Sequence, residues 1–157
     1  MIIELTGIGK TSEEYLEEGL EKYQHRIKHY VNFNMRFLPD LKKTKNLSSA
    51  EIKKHEGKKL LKGIAPGDEL VLLDEKGKQF NSVEFASFLQ KKFNAGLKKM
   101  IFCIGGAYGF SEEVYMRSNS KISLSEMTFS HQMVRLIFLE QLYRAFTIIK
   151  GEPYHNF

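Results

Sequence analysis

A glycine-rich segment at residues 105–109, with the sequence GGAYG, is the part of this chain best suited to hold a ligand. It follows an apolar run at residues 100–104 and precedes Ser111, which can cap a helix. At the carboxyl end of a parallel strand, glycines let the backbone approach a bound molecule closely. The spacing is not GxGxxG, so the segment indicates a ligand-binding loop or a plain turn rather than a dinucleotide site.

A second glycine segment near the N-terminus resembles part of a phosphate-binding loop. Gly9, Lys10 and Thr11 match the last three positions of the GxxxxGKT pattern. That pattern also needs a glycine five residues before Gly9, where this chain has Glu4. Because a carboxylate there would repel phosphate, a tight turn is favoured. Thr11 and Glu14 instead have the spacing of a capping box, which predicts the start of a helix.

Metal-binding patterns are weak. His25 and His29 are spaced i, i+4 on a predicted helix, but no HExxH sequence surrounds them. A surface pair of histidines is favoured over a metal site. Cys103 is the only cysteine and lies in an apolar strand, so it is interpreted as a small core residue and forms no intrachain disulfide. No metal is predicted.

The elements that must position these residues alternate between strand and helix patterns. This alternation predicts one domain, residues 1–157, of the α/β class with a mostly parallel sheet and helices on both faces. Predicted strands lie at residues 1–9, 31–37, 69–74, 100–104 and 121–124. Predicted helices follow Thr11, Ser48 with Glu51, Asn81 and Ser111, and the last one spans residues 131–150.

Composition excludes several classes of protein. The chain has 157 residues, 24 Lys and Arg against 19 Asp and Glu, and 42% hydrophobic residues. Wholesale disorder is therefore excluded, and the net charge of +5 permits a polyanionic partner without requiring one. There is no apolar run of about 18 residues and no basic leader, so we expect a cytoplasmic protein with no membrane segment.

The last predicted helix is apolar nearly all round. A helix of this kind must be covered on more than one side. Burial against its own sheet and a second subunit is the favoured interpretation, and a central core helix in a monomer is the alternative. Gly151 and Pro153 predict that the tail, residues 154–157, leaves the helix in an extended form.

Five motifs in the C-terminal part of the chain together point to one family. They are IGGAYG at 104–109, LSEMTF at 124–129, HQMVR at 131–135, EQLYRA at 140–145 and GEPYH at 151–155. These segments closely resemble the RlmH-type methyltransferases of the SPOUT class. The resemblance runs over the whole chain, beginning with the turn at residues 7–10.

The resemblance implies a small cytoplasmic homodimer with a C-terminal trefoil knot that holds S-adenosylmethionine. It implies methylation of N3 of a pseudouridine in the helix-69 loop of 23S ribosomal RNA in the large subunit. The cofactor contacts that it implies are Leu73, Gly105, Leu124, Ser125, Glu126, Met127, Thr128 and Phe129. Some members have Pro where this chain has Ser130, which can itself cap the last helix.

The resemblance also directs attention to basic and aromatic side chains that could act on the RNA. His131 and His155 are candidate proton acceptors, since an imidazole takes up protons near neutral pH. Arg135 is a candidate to stabilise the base as an anion, and Arg144 to hold RNA phosphate. Tyr154 is grouped with the catalytic candidates because it can stack on a base.

The nine-residue spacing between Arg135 and Arg144 points them about 180° apart on one helix. One protomer can therefore hardly aim both at one site, and a dimer could supply one from each subunit. Two other classes of function compete with the methyltransferase. One is a non-enzymatic RNA-binding or ribosome-assembly protein, and the other is an enzyme that uses NAD or ATP.

Overall fold

Five strands form one parallel sheet at the centre of the molecule. The computed structural model describes residues 1–157. The strands are β1 (Ile2–Ile8), β2 (Asn32–Leu38), β3 (Glu69–Gln79), β4 (Lys99–Ile104) and β5 (Ser120–Ser123). They lie in the order β2-β1-β4-β3-β5, and every neighbouring pair is parallel. All carboxyl ends therefore meet at one edge of the sheet, where ligands bind in open α/β folds.

Five helices cover both faces of this sheet. They are α1 (Glu14–Ile27), α2 (Ser49–Leu61), α3 (Ser82–Asn94), α4 (Glu112–Arg117) and α5 (Met133–Ile149). α1, α3 and α5 bury their apolar side chains in the larger core, and α2 and α4 bury theirs in the smaller core on the opposite face. The predicted fold class, a mostly parallel sheet with helices on both faces, is confirmed.

β4 shows how one strand serves both cores. Met100 and Phe102 belong to the larger core, and Ile101 and Cys103 to the smaller one. This alternation follows from the two-residue period of a strand that is buried on both faces. The core position predicted for Cys103 is confirmed, and burial raises the pKa of its thiol to about 12.

Three of the predicted helix starts are confirmed by hydrogen bonds. The side chains of Ser48, Asn81 and Ser111 accept from the backbone N–H of the residue three positions later. In α3 the bond is reciprocal, because Glu84 accepts from the N–H of Asn81 at 2.8 Å. Each of these caps satisfies a backbone donor that the helix itself leaves free.

The predicted capping box of Thr11 and Glu14 is wrong. α1 begins at Glu14 with Glu13 at the cap position and no side-chain cap bond. Thr11 is buried, and its hydroxyl accepts a hydrogen bond from Arg135 at 2.9 Å instead. A tertiary contact with α5 therefore replaces the local cap.

Two boundaries also differ from the prediction. β3 continues past Asp74 to Gln79, with a shift of register against β5 between Leu73 and Lys78. The tail does not leave α5 in an extended form. It turns back, so that Tyr154 and His155 are half-buried against α5. Glu140 and Arg144 of α5 contact it there.

None of the five helices combines the length and the hydropathy that crossing a bilayer requires. The trefoil knot implied by the resemblance stays a prediction, because strand order does not define how the connecting loops thread.

Candidate active site

A cleft of about 710 Å³ opens beside β3, at the edge of the sheet where β4 and β5 end. It is lined by residues 73–76 of β3, where that strand continues past the end of β4, and by the stretches at 104–110 and 123–131 that follow β4 and β5. α2 and α4 add Lys53 and Tyr115, and the first turn of α5 adds Val134. A cleft of this volume is within the usual range for small-molecule sites, and its place in the sheet is where such sites occur.

The glycine-rich loop after β4 folds back on itself. Gly106 and Gly109 form an isolated antiparallel bridge, in which the N–H of Gly109 donates to the carbonyl of Gly106 at 3.0 Å. A Cβ on Gly105 would lie 3.2–3.3 Å from backbone atoms of Gly109. Because those atoms are backbone, they cannot move aside as a flexible side chain would. A side chain at Gly105 would therefore disturb the loop that forms one wall of the cleft.

The loop between β5 and α5 is held by its own serines. Ser123 donates to the carbonyl of Ser125 at 2.9 Å, and the Ser125 hydroxyl accepts from the N–H of Met127 at 2.9 Å. The Ser130 hydroxyl accepts from the N–H of Met133, the first residue of α5, at 3.1 Å. Ser130 thus supplies the helix-entry bond expected of it.

The structure brings together most residues named by the resemblance. Seven of the eight cofactor candidates line the cleft, namely Leu73, Gly105, Leu124, Ser125, Met127, Thr128 and Phe129. Glu126 lies on the same loop, but it is exposed and does not line the cleft. Among the catalytic candidates, His131 lines the cleft.

Sequence analysis missed two polar side chains of the cleft. Asp74 lines it and accepts a hydrogen bond from the Tyr115 hydroxyl. Burial, together with this bond, raises the pKa of Tyr115 to about 12, so it stays a donor at neutral pH. Asp74 is the first polar residue after the buried run LVLL, and this change from apolar to polar where the pairing of β3 with β4 ends was the signal that could have found it.

A buried carboxyl group supports the glycine loop from behind. Glu56 of α2 is 8% exposed, and its Oε1 has no hydrogen-bond partner. Both of its carboxylate oxygens lie 2.7 Å from where a Cβ on Gly106 would be. Burial, with the nearby charge of Asp40, raises the pKa of Glu56. α2 therefore packs directly against the loop that follows β4.

The remaining candidates form a separate cluster where the tail returns to α5. Glu140 accepts from Arg144 at 3.1 and 2.6 Å and from the Tyr154 hydroxyl at 3.0 Å. The Arg144 guanidinium lies 4.7 Å from the centre of the Tyr154 ring. Burial and hydrogen bonds to Tyr23 and Glu140 raise the pKa of Tyr154, so its hydroxyl remains protonated. The bond to Glu140 raises the pKa of Arg144.

His155 completes this C-terminal cluster. Arg144 Nη1 lies 3.2 Å from His155 Nδ1. A guanidinium only donates, so in a hydrogen bond between these two atoms Nδ1 is the acceptor. Glu140 and Arg144 follow Val134, which lines the cleft, by six and ten residues, or about 9 and 15 Å along α5. Neither they nor Tyr154 and His155 line the cleft. Within one chain, Tyr154 and His155 therefore lie apart from the cleft and from His131.

Arg135 lies neither in the cleft nor in the C-terminal cluster. It is 1% exposed, and its guanidinium donates to the carbonyls of Ile8 and Gly9 at 2.9 and 2.8 Å and to Thr11. It also lies 3.9 Å from the ring centre of Phe37. Burial lowers the pKa of this arginine, although the charge of Asp40 opposes that effect. Its observed contacts join α5 to the end of β1.

His25 and His29 pack their rings edge to face at 5.1 Å. No group of three or more His, Cys, Asp or Glu side chains in the structure has the spacing of metal ligands.

Comparison with known proteins gives the family. A family model described as "Predicted SPOUT methyltransferase" matches residues 1–155. The chain belongs to the SPOUT methyltransferase family. Members of this family transfer a methyl group from a donor, and the cleft at the C-terminal edge of the sheet is the candidate site for it.

Several curated SPOUT relatives match the full length of the chain. Proteins named "Ribosomal RNA large subunit methyltransferase H" from Christiangramia forsetii and Parabacteroides distasonis are 58% and 54% identical to it over 156 residues. In both cases 99% of this chain and 99% of the relative are covered. A protein of the same name from Cytophaga hutchinsonii is 54% identical, with 99% of this chain and 100% of the relative covered.

A solved structure also shares the fold. It is that of a probable methylase family protein from Haemophilus influenzae Rd KW20, with a TM-score of 0.53 and 10% sequence identity. The match covers 99% of this chain and 70% of the other.

Proposed function

We propose that this chain is an S-adenosylmethionine-dependent methyltransferase that methylates N3 of a pseudouridine in 23S ribosomal RNA of the large subunit. The observation that carries the proposal is the convergence of β3 and of the two loops that follow β4 and β5 on one cleft in a member of the SPOUT methyltransferase family. The full-length relatives named as large-subunit ribosomal RNA methyltransferases support the choice of substrate. The protein would act in the cytoplasm, where ribosomes are found.

The residues of the cleft fit S-adenosylmethionine. Apolar side chains of Leu73, Leu124 and Phe129 offer surface for a flat adenine ring, and the loop at 105–109 offers backbone polar groups. The carboxylate of Asp74 suits a ligand that carries positive charge. Ser125, Met127 and Thr128 would complete the contacts, and Glu126 would contribute through the backbone of its loop.

When bound, S-adenosylmethionine supplies an electrophilic methyl group on a positively charged sulfur. The task of this chain is then to position the RNA base in line with that methyl group and to exclude water. N3 of the base carries a proton at neutral pH, and a side chain must take it up or stabilise the anion that forms. His131 is the candidate for proton transfer on the wall of the cleft.

The C-terminal cluster would act on the RNA from a second subunit. Because Tyr154, His155 and Arg144 do not line the cleft of their own chain, we propose a homodimer in which the cluster of one protomer faces the cleft of its partner. Arg144 would then contact RNA phosphate, and Tyr154 would stack on a base. Arg135 would act by positioning α5 rather than by touching the RNA.

A surface stripe on α5 supports this association. Met133 and Ile137 are half-buried, one helical turn apart, and lie outside both cores. The stripe continues along α5 to Glu140, Gln141 and Arg144. Ile137→Glu should therefore reduce association while the fold persists. Phe146→Glu serves as the contrast, since Phe146 is 3% exposed in the core and its replacement should unfold the chain. Sedimentation and circular dichroism would separate the two effects, and an active wild-type monomer would contradict the dimer.

The experiment that tests the function compares the wild type with Gly105→Val on ribosomes isolated from cells that lack the gene for this protein. Calorimetric titration with S-adenosylmethionine, NAD and ATP comes first. The proposal expects binding of S-adenosylmethionine alone, lost in Gly105→Val. Methyl transfer is then mapped on 23S RNA by mass spectrometry. RNA binding without methyl transfer would instead indicate a ribosome-assembly protein, and binding of NAD or ATP would indicate a different enzyme.

A further inference from the structure

The net charge of the chain is concentrated in one segment. Residues 40–62, which contain the loop after β2 and the whole of α2, hold eight lysines and three acidic residues, a balance of +5. The other 134 residues hold 16 basic and 16 acidic residues, a balance of zero. One of the three acids, Glu56, is buried behind the glycine loop. We call this stretch the basic segment. Its lysines are Lys42, Lys43, Lys45, Lys53, Lys54, Lys58, Lys59 and Lys62.

No lysine of the basic segment lies within ion-pair distance of a carboxylate. None of the eight takes part in an ion pair, although lysines elsewhere, such as Lys92 and Lys99, do. Lys54, Lys58 and Lys62 are exposed and follow one another at four-residue intervals, about 6 Å apart along α2. Like charges at this spacing destabilise a helix. The helix dipole favours cations in the last turn only, so it does not account for Lys54 or for the lysines before α2.

The loop before α2 also keeps a lysine where the backbone disfavours one. Lys43 has a φ of 57°, and it is the only residue other than glycine with a positive φ. Glycine or asparagine would adopt this left-handed conformation more easily. Because Lys43 is exposed, packing does not explain it.

A small cavity of about 310 Å³ adds a niche for an anion at the end of α2. Its lining includes three cationic side chains, those of Arg36, Lys59 and Lys62. Arg36 donates through Nε to Glu4 at 3.2 Å, while its buried Nη2 has no hydrogen-bond partner. A guanidinium with a free donor beside two lysines suits an oxygen-rich anion such as phosphate.

The basic segment is continuous with the candidate active site. Lys53 belongs to α2 and also lines the cleft. On the same helix, Glu56 packs behind Gly106. An RNA chain that places its reacting base in the cleft would therefore pass close to α2.

We infer that the basic segment is the surface on which the phosphate backbone of the RNA substrate docks, next to the cleft that Lys53 reaches and apart from the C-terminal cluster. The inference rests on the proposed function. Phosphate contacts position a nucleic acid and contribute most of its salt-dependent affinity, but they take no part in the reaction itself. The basic segment thus sets the binding of the RNA and not the rate of methyl transfer.

The test compares two triple variants with the same net charge. Lys54→Gln, Lys58→Gln and Lys62→Gln remove the exposed stripe of α2, and glutamine keeps the helix propensity. Lys22→Gln, Lys91→Gln and Lys98→Gln remove three exposed lysines elsewhere, none of which is in an ion pair. Each protein is titrated with S-adenosylmethionine, and methyl transfer to isolated ribosomes is measured at several salt concentrations.

In the stripe variant, KM for the ribosome should rise about tenfold or more near 150 mM salt. The slope of log affinity against log salt concentration should become shallower by about 2, because each of the three lost phosphate contacts contributes ~0.7. Its kcat at saturation and its affinity for S-adenosylmethionine should match the wild type. The control variant should match the wild type throughout. Equal losses in both variants, or none in the stripe variant, would overturn the inference. A wild type that transfers no methyl group to ribosomal RNA would contradict the proposed function instead, and RNA binding by the same three proteins would still test the docking surface.

Discussion

The carboxylate of Glu56 occupies the space that a side chain on Gly106 would need. Both carboxylate oxygens lie 2.7 Å from the position of a Cβ on Gly106, closer than real Cβ atoms approach other atoms. The two residues are 50 positions apart, on α2 and on the loop after β4. The shape of the glycine loop therefore depends on a helix that contributes only one residue, Lys53, to the cleft.

Gly106→Ala should weaken the binding of S-adenosylmethionine. Overpacking of this kind costs about 1–3 kcal/mol, which corresponds to about a tenfold loss of affinity or more when it is borne by the bound state. Adding Glu56→Asp shortens the opposing side chain by one methylene and should restore most of the binding. Calorimetric titration of the single and double variants measures the coupling.

Gly67→Ala is the matched control, because a Cβ there meets nothing within 4 Å. It should bind like the wild type. Additive effects of Gly106→Ala and Glu56→Asp would show that the two side chains do not compete for the same space.

The raised pKa of Glu56 predicts a pH-dependent cost to stability. The folded state binds the proton more tightly than the unfolded state, so the free energy of unfolding falls as the pH rises above about 4.3, the usual pKa of glutamate. Glu56→Gln keeps the shape and removes the charge. It should therefore be more stable than the wild type at pH 7, with a difference that shrinks toward pH 4.

Urea unfolding across this pH range measures the effect. Glu21→Gln, which removes an exposed carboxylate in no ion pair, is the control and should show no such trend. A Glu56→Gln variant that is less stable than the wild type at pH 7 would show that the ionised carboxylate contributes to the fold.

We expect Arg135 to contribute to the stability of the fold and not to the reaction, because its guanidinium is buried and bonded to backbone carbonyls. Arg135→Met keeps an unbranched apolar stem but leaves the carbonyls of Ile8 and Gly9 without their donor. We expect a loss of about 3 kcal/mol or more in the free energy of unfolding. Arg117→Met is the comparison, since Arg117 also donates to two carbonyls, at 2.8 and 2.9 Å, but is half-buried. Its loss should be about 1 kcal/mol, as water replaces the donor.

The two roles considered for Arg135 give different results. An Arg135→Met protein with wild-type stability and lowered kcat would assign the arginine to the reaction.

Deleting residues 154–157 should leave the binding of S-adenosylmethionine nearly intact and lower methyl transfer to ribosomes by about tenfold or more. The deletion removes Tyr154 and His155 but no residue of the cleft. It also removes their bonds to Glu140 and Arg144, so a modest fall in melting temperature is expected.

Deleting only residues 156–157 is the control for chain shortening. Phe157 is 92% exposed, so this protein should behave like the wild type. If the longer deletion methylates at the wild-type rate, the tail serves only to cover α5, and His131 acts without any contribution from Tyr154 or His155.

The features that sequence predicted well depend on neighbours within a few residues. The caps at Ser48, Asn81 and Ser111 depend on a side chain and an N–H three positions away. The alternation of strands and helices likewise gave the α/β class. Most cofactor candidates also fell on the cleft, because they follow strands whose carboxyl ends must meet in a parallel sheet.

The features that sequence could not give depend on residues far apart in the chain. The spacing of Thr11 and Glu14 predicted a helix cap, but Arg135, 124 positions away, donates a hydrogen bond to the Thr11 hydroxyl instead. The contact of Glu56 with Gly106 has no periodic signature. The tail was expected to be extended, but Glu140 and Arg144 draw it back onto α5. In each case a tertiary contact outweighs the local preference.

The order of the strands has a consequence for synthesis of the protein. β1 and β2 are complete by residue 38, but the other neighbour of β1 is β4, which ends at residue 104. At 5–20 residues per second, one edge of β1 waits roughly 3 to 13 seconds for its partner. An unpaired apolar edge is prone to aggregation. The nascent chain therefore passes through a vulnerable interval, and the loops of the cleft after β5, made later still, cannot receive a ligand until translation is nearly over.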